Sequence, residues 1–284
     1  MPIQLHMGTV NTCQCACNFC PYPSAENTRP RGVMSMELYR KIVDEAAGIP
    51  EIVSIAFSAL GEPLLDRFLV ERVKYAWEVR QDWETIELYT NGIGLTPAKF
   101  EALRDAGIKH LSISLNAVDQ RQHETVMGVK GKYATIVQNA RYAIANAQGK
   151  TNILVKAVRN DDQFREADQV KFYMQWGIAR RPDIMPGNGD IVIERNWAGK
   201  NRLLDSEVLD PNSACGRALE QISVLWDGKV SLCCFDPLLK HDLGDLNKQT
   251  IKEIYNAPWY TQFRKDHFEN RAAKYELCAN CTRV

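Results

Sequence analysis

Asn11-Thr12-Cys13-Gln14-Cys15-Ala16-Cys17-Asn18-Phe19-Cys20-Pro21-Tyr22-Pro23 places four cysteines within eight residues. It follows a β-rich run, Ile3–Val10, and so reads as a loop at the carboxyl end of a first strand. Cys13, Cys17 and Cys20 have the spacing C-x3-C-x2-C, with the aromatic Phe19 just before the last cysteine. Thiolates this close can converge on one metal centre, and iron–sulfur clusters are held by cysteine thiolates. Three ligands on a four-iron cluster leave one iron open to a small molecule. The other reading is a structural zinc loop with Cys15 as fourth ligand, although C-x-C-x-C-x2-C is cramped for a tetrahedral site.

Further β-rich runs occur at Ile52–Phe57, Thr85–Tyr89, His110–Ser114 and Asn152–Val158. Between them lie segments with apolar residues three and four apart, which predict helices over Met36–Ala47, Leu65–Val79, Pro97–Ala106, Tyr133–Ala147 and Asp162–Trp176. Ser35 and Thr96 are suitable N-caps, and Ala106-Gly107 a suitable stop. Alternating strands and helices imply βαβ units around a parallel sheet. With Ile191-Val192-Ile193 as a last strand, the expectation is an α/β fold, a partial (β/α)6 TIM-like barrel with ligands at the strands' carboxyl ends.

The texture changes after about Arg181, where Pro182, Pro186, Gly187 and Gly189 punctuate the chain. Ile222–Leu225 and Val230–Leu232 flank Trp226-Asp227-Gly228-Lys229, a hairpin signal. Short helices are predicted near Ile251–Tyr255 and Trp259–Asp266. The expected domains are 1–200, the barrel, and 201–284, a small metal-nucleated appendage too short to build a large core alone.

The 284 residues carry 35 Lys+Arg and 35 Asp+Glu, so the formal net charge is +0. An extended nucleic-acid surface normally leaves a basic excess, which argues against such a partner. No run approaches the roughly 18 apolar residues of a membrane helix. The N-terminus lacks a signal-peptide pattern, which points to a reducing cytoplasmic location where cysteines suit metals better than disulfides. The nine cysteines fall into two groups, Cys13 to Cys20 and Cys215 to Cys281, with none among the 194 residues from Pro21 to Ala214.

On the C-x3-C-x2-C motif and its aromatic residue, the chain resembles the radical S-adenosylmethionine (SAM) superfamily. The resemblance makes Cys13, Cys17 and Cys20 the ligands of a [4Fe-4S] cluster whose open iron takes the amino and carboxyl groups of S-adenosyl-L-methionine. It leaves Cys15 a bystander and places Phe19 near the adenine. Ser58-Ala59-Leu60-Gly61-Glu62-Pro63 looks like the family's Gly-Gly-Glu-type segment, with Leu60 where glycine is frequent. There Gly61 backbone groups and the Glu62 carboxylate would take the cofactor's ammonium. Tyr89-Thr90-Asn91-Gly92 resembles the Thr-Asn-Gly segment and brings Asn91 to the cofactor. Ser114 and Asn116 share one face of a strand end and look like the polar pair that contacts ribose and methionine.

Cys215, Cys233, Cys278 and Cys281 are separated by 17, 44 and 2 residues. Four cysteines suit zinc or an iron–sulfur cluster equally on ligand type. The surrounding Trp226-Asp227-Gly228-Lys229-Val230, Cys233-Cys234-Phe235-Asp236, Leu243-Gly244-Asp245-Leu246 and Leu277-Cys278-Ala279-Asn280-Cys281 resemble the SPASM/twitch extension of radical SAM enzymes. With three residues after Cys281, the resemblance leads to the expectation of one auxiliary [4Fe-4S] cluster held by these four cysteines, the twitch form. Its layout is similar to that of the superfamily's butirosin-biosynthesis dehydrogenase, which oxidises an aminocyclitol alcohol.

The resemblance therefore implies two [4Fe-4S] clusters, a flavodoxin- or ferredoxin-type reductant, and two-electron oxidation of a small molecule such as an aminocyclitol or sugar alcohol. Radical modification of a ribosomal peptide is the alternative, by crosslinking or by epimerisation with Cys234 as hydrogen donor. With Cys13 as the first cluster cysteine, an N-terminal peptide-recognition module is not expected, which favours the small molecule unless a separate recognition protein supplies it. A non-catalytic zinc protein is the alternative of another class. Tyr89, Lys156, Arg159, Glu194 and Arg195 sit at strand ends, and Arg195 is the preferred carboxylate contact. The five histidines show no metal spacing.

Overall fold

The computed structural model describes residues 2–24, 27–159, 166–176, 189–193, 214–279 and 281. The chain runs β1 (Ile3–Met7), α1 (Met36–Ala47), β2 (Ile52–Phe57), a 3-10 turn (Pro63–Leu65), α2 (Leu69–Val79), β3 (Thr85–Thr90), α3 (Pro97–Ala106) and β4 (His110–Ser114). Next come α4 (Gln120–Met127), α5 (Tyr133–Ala145), β5 (Asn152–Arg159), α6 (Glu166–Trp176) and β6 (Gly189–Ile193). The C-terminal part contains α7 (Gly216–Glu220), β7 (Gln221–Val224), β8 (Lys229–Ser231), β9 (Asp242–Asp245), α8 (Ile251–Tyr255), α9 (Pro258–Phe268) and α10 (Glu276–Ala279).

Six parallel strands, β1 to β6, lie side by side in chain order with helices between them, the partial (β/α)6 barrel expected. Local chemistry sets the helix ends. Ser35 Oγ accepts from Leu38 N and Thr96 Oγ1 from Lys99 N, while Gly107 closes α3 at φ 110°. The helix expected from Leu65 starts instead at Leu69. Glu62 first caps the 3-10 turn, and Asp66 then leaves helical geometry (ψ 111°).

Side-chain alternation divides the strands between two environments. Leu5, Met7, Ile55, Phe57, Ile86, Leu88, Leu111, Ile113, Ile153 and Val155 join the core beneath the helices. The alternate positions include Gln4, His6, Ser54, Ser58, Glu87, Tyr89, Ser112, Ser114 and Lys156, and they line the inner face. A packed barrel fills its interior with branched apolar residues. This one has a polar lumen, as a ligand site requires.

The C-terminal segment is joined to the barrel through the sheet. Strand β7 pairs in parallel with β1, Leu5 opposite Ile222, and β8 and β9 extend the same sheet antiparallel. Ile222, Val224, Val230, Leu246, Ile251 and Ile254 thus join the main core, which answers the segment's shortage of apolar area. A second, small core gathers Leu232, Phe235, Tyr260, Phe263 and Leu277 around Cys234 and Cys278. The expected 200/201 boundary lies outside the described residues. Among those residues no helix is long and apolar enough to cross a membrane.

Candidate active site

The N-terminal cysteine loop leaves β1 at the sheet's carboxyl edge and is fixed by main-chain hydrogen bonds. Ala16 N donates to Met127 O at 3.0 Å and Asn18 N to Val126 O at 3.1 Å, which pins the loop to the end of α4. Cys17 Sγ lies 3.5 Å from Met127 Sδ, and Asn116 Nδ2 lies 3.1 Å from the same sulfur. Tyr22 Oη accepts from Cys13 N at 3.0 Å, and Cys20 Sγ accepts from Tyr22 N at 3.4 Å. Cys13, Cys17 and Cys20 are half-buried, as is Phe19; Cys15 is buried. Cys15 is more engaged than a bystander, since Asn91 Nδ2 approaches its Sγ at 3.4 Å and that of Cys13 at 3.8 Å.

Glu62 is buried and already committed. Its carboxylate accepts from Asn91 N at 2.7 Å, Leu64 N at 3.0 Å and Thr90 Oγ1. Burial pushes its pKa up, while those three donors oppose the rise. The Glu62 amide donates to Thr12 O at 2.8 Å. Glu62 thereby ties the loops after β1, β2 and β3 together. Gly61 makes this possible: at φ +105°, a Cβ there would lie 2.2 Å from Val10 O. Asn116 is buried with a left-handed φ of 56°, a conformation asparagine tolerates better than most residues. Ser114 is half-buried on the lumen face.

The C-terminal cysteines come from separate elements: Cys215 caps α7, Cys233 follows β8, Cys278 lies in α10 and Cys281 just beyond it. All four line one pocket with Phe235, Phe263, Leu277 and His267. Burial holds the Cys233 thiol well above its ordinary pKa and raises Cys20 to about 12. Cys13 is also raised, first by its hydrogen bond to Cys15 and then by burial. Such thiols give up their protons when a cation takes their place. Among the described residues, no three Cys, His, Asp or Glu side chains converge as a single metal ion requires. A polynuclear cluster, whose ligands bind different irons, accepts a wider set. Both donor sets are all-thiolate, which fits iron–sulfur clusters.

Within the lumen, Tyr89 gathers several polar neighbours. Lys156 Nζ lies 5.4 Å from its ring centroid and the His6 ring 6.3 Å away. Tyr89 Oη donates to Glu87 at 2.9 Å. Burial first, and the Glu87 charge second, push the Tyr89 phenol up. Ser58 Oγ lies 2.8 Å from His6 Nε2, and burial lowers the His6 pKa to about 4. From the C-terminal side come Cys234, raised to about 11 by burial, and Arg217, which hydrogen-bonds Cys234 and stacks over Phe235 at 4.7 Å. A cleft of about 410 Å³ opens at the strands' amino ends, lined in part by Gln4, Ser54, Glu84 and Arg217.

The family model described as the radical SAM superfamily matches residues 7–169, more than half of the chain. The chain belongs to the radical SAM superfamily. A second model, an iron–sulfur cluster-binding domain named SPASM, matches residues 215–282 and spans the four C-terminal cysteines. A PqqA peptide cyclase from Ruegeria pomeroyi is 31% identical over 311 residues, covering 100% of this chain and 80% of the relative. The S-adenosyl-L-methionine-dependent 2-deoxy-scyllo-inosamine dehydrogenase of Niallia circulans is 23% identical, covering 96% and 89%. The crystal structure of BtrN in complex with AdoMet and 2-DOIA shares the fold with a TM-score of 0.69 at 20% identity, covering 100% of this chain and 94% of that one. This protein is thus a radical SAM enzyme of oxidoreductase type, with S-adenosylmethionine and iron–sulfur clusters as its cofactors.

The structure gathers Cys13 and Cys17 with Asn91, Glu62 and Asn116 at one end, places Tyr89 in the lumen, and packs Cys234 in the small C-terminal core. Arg195 and Glu194 lie outside the described residues, as does the Arg159 side chain. Sequence reasoning missed His6, Met127, Arg217 and His267. Only His6 had a signal: it continues the polar alternation of Gln4 within β1.

Proposed function

We propose that this radical SAM enzyme oxidises a small polyhydroxylated or amino-bearing alcohol by two electrons, using two [4Fe-4S] clusters. Cys13, Cys17 and Cys20 would hold the first, and Cys215, Cys233, Cys278 and Cys281 the second. When bound, the first cluster with S-adenosylmethionine supplies the radical that removes a substrate hydrogen atom, and the second supplies an electron acceptor. The observation that carries the reading is the polar lumen around Tyr89, with Lys156, His6 and Glu87 beside its ring.

Lys156 brings a cationic donor over the Tyr89 ring, Arg217 adds a second positive charge nearby, and Glu87 brings an acceptor. His6 stays neutral above about pH 4 and, with Ser58, offers uncharged hydrogen bonds to substrate hydroxyls. Glu62 ties Asn91, Thr90 and Leu64 into one set of loops that would hold S-adenosylmethionine, and Phe19, Ser114 and Asn116 would be its further contacts. The test is anaerobic turnover of aminocyclitols and sugar alcohols deuterated at the carbinol carbon. Deuterium in 5′-deoxyadenosine together with a ketone product supports the reading. No product from any alcohol, with linked or inverted residues in a test peptide, would replace it.

That peptide reading is the second one, favoured by the 31% identity to a PqqA peptide cyclase along the whole chain. In it Cys234, beside Arg217 and Tyr89, would return a hydrogen atom to the opposite face of a residue. A Cys234→Ala chain that inverts its peptide in normal yield removes the hydrogen-donor role.

A further inference from the structure

His267 is buried at 0% exposure near the end of α9, among the residues lining the C-terminal cysteine pocket. Its Nε2 lies 3.4 Å from Cys278 Sγ. The ring is oriented by aromatic packing, with its centroid 4.4 Å from that of Phe263 and stacked on Tyr275 at 6.2 Å. Tyr275 is itself fixed, because its hydroxyl donates to Asp266 at 2.8 Å. Asp266 also accepts from Arg271 at 2.7 Å and Lys274 at 2.8 Å. The end of α9, the 3-10 turn Ala272–Lys274 and the start of α10 therefore form one hydrogen-bonded unit. That unit sets the imidazole at a defined distance from a cluster ligand.

A thiolate bound to iron has no proton to give. If Cys278 is such a ligand, the 3.4 Å contact has only one polarity: Nε2–H donates and Sγ accepts. A donor to a ligand sulfur stabilises the reduced cluster, with its extra negative charge, more than the oxidised one. Hydrogen bonds to sulfur are among the terms that set the potential of these clusters. We propose that His267 is a positioning residue that raises the reduction potential of the C-terminal cluster through an N–H···S bond to Cys278, making it a better electron acceptor. This rests on the assignment of Cys215, Cys233, Cys278 and Cys281 to one cluster.

The test is an anaerobic redox titration of the reconstituted full-length chain, following the C-terminal cluster by electron paramagnetic resonance. A Cys13→Ala/Cys17→Ala/Cys20→Ala background leaves that signal alone. Wild-type and His267→Gln chains, the latter keeping an N–H donor, are expected to titrate close together. His267→Leu and His267→Phe should titrate at a lower potential with unchanged iron and sulfide content. Equal potentials in all four chains at full iron would overturn the proposal. Loss of the cluster in both His267→Leu and His267→Phe would also overturn it, by making His267 a ligand or a packing element. A background chain with no cluster at all would instead refute the cysteine assignment, and iron counting separates that result from the others.

Discussion

The two cysteine regions solve different problems with the same side chain. Cys13, Cys17 and Cys20 lie within eight residues of irregular loop, half-buried and tied by main-chain hydrogen bonds to the end of α4. Cys215, Cys233, Cys278 and Cys281 come from three stretches of chain and meet in a pocket closed by Phe235, Phe263 and Leu277. On the proposed assignment, three ligands on a four-iron cluster would leave one iron open to a small molecule, whereas four ligands in an enclosed pocket would suit electron transfer. The number and closeness of ligands mark the first site, and tertiary convergence marks the second.

The largest expected effect comes from removing one set at a time. Cys13→Ala/Cys17→Ala/Cys20→Ala should reduce 5′-deoxyadenosine formation to that of reductant without protein. Cys215→Ala/Cys233→Ala/Cys278→Ala/Cys281→Ala should still form 5′-deoxyadenosine but yield no oxidised product. Equal losses in both, measured by chromatography, would erase the functional contrast.

The next effect concerns the support beneath the N-terminal region. Arg72 and Asp66 form a 2.8 Å ion pair with both side chains at 0% exposure, and Arg72 also donates to Met34 O, just beyond the cysteine loop. Asp66→Ala leaves the guanidinium buried and unpaired, and should cost about 3–5 kcal/mol in denaturant unfolding. Removing the exposed Arg40–Glu71 pair should cost less than about 1 kcal/mol.

A comparable effect should appear with pH. His6 has a folded-state pKa of about 4 against 6.5 unfolded, so between those values only the unfolded chain binds the proton. The His6 contribution is complete above pH 6.5 and is lost as pH falls toward 4, by ~3 kcal/mol in total. His6→Gln should flatten that part of the stability–pH curve; an unchanged slope would place the effect elsewhere. A smaller effect than that of His6 is expected in the C-terminal region, where Thr250 and Glu253 form a capping box on α8. Thr250→Ala should cost about 1 kcal/mol in thermal unfolding and leave the iron content unchanged.

The barrel was readable because its signals are local. Strands β2 and β4 and helices α1 and α3 begin and end where the β-rich runs, caps and Gly107 place them. Helix α4 was missed because Gln120-Arg121-Gln122-His123-Glu124-Thr125-Val126-Met127 is mostly polar and eight residues long, yet its end holds the cysteine loop. The β1–β7 pairing joins residues more than 200 positions apart, and no local pattern encodes it. The cysteine spacings were visible, but the enclosure of Glu62 by Asn91, Thr90 and Leu64 depends on how three loops meet. The placement of His267 against Cys278 depends likewise on the packing of α9 against α10.

The central claim is that the two cysteine sets hold separate four-iron clusters. Iron and sulfide counting on the anaerobically reconstituted wild type and the two cysteine-set variants tests it directly. The expected result is about eight irons per wild-type chain and about four in each variant, with the remaining cluster open to S-adenosylmethionine only when Cys13, Cys17 and Cys20 are intact. Zinc in place of iron, or loss of all iron when either set alone is removed, would contradict it.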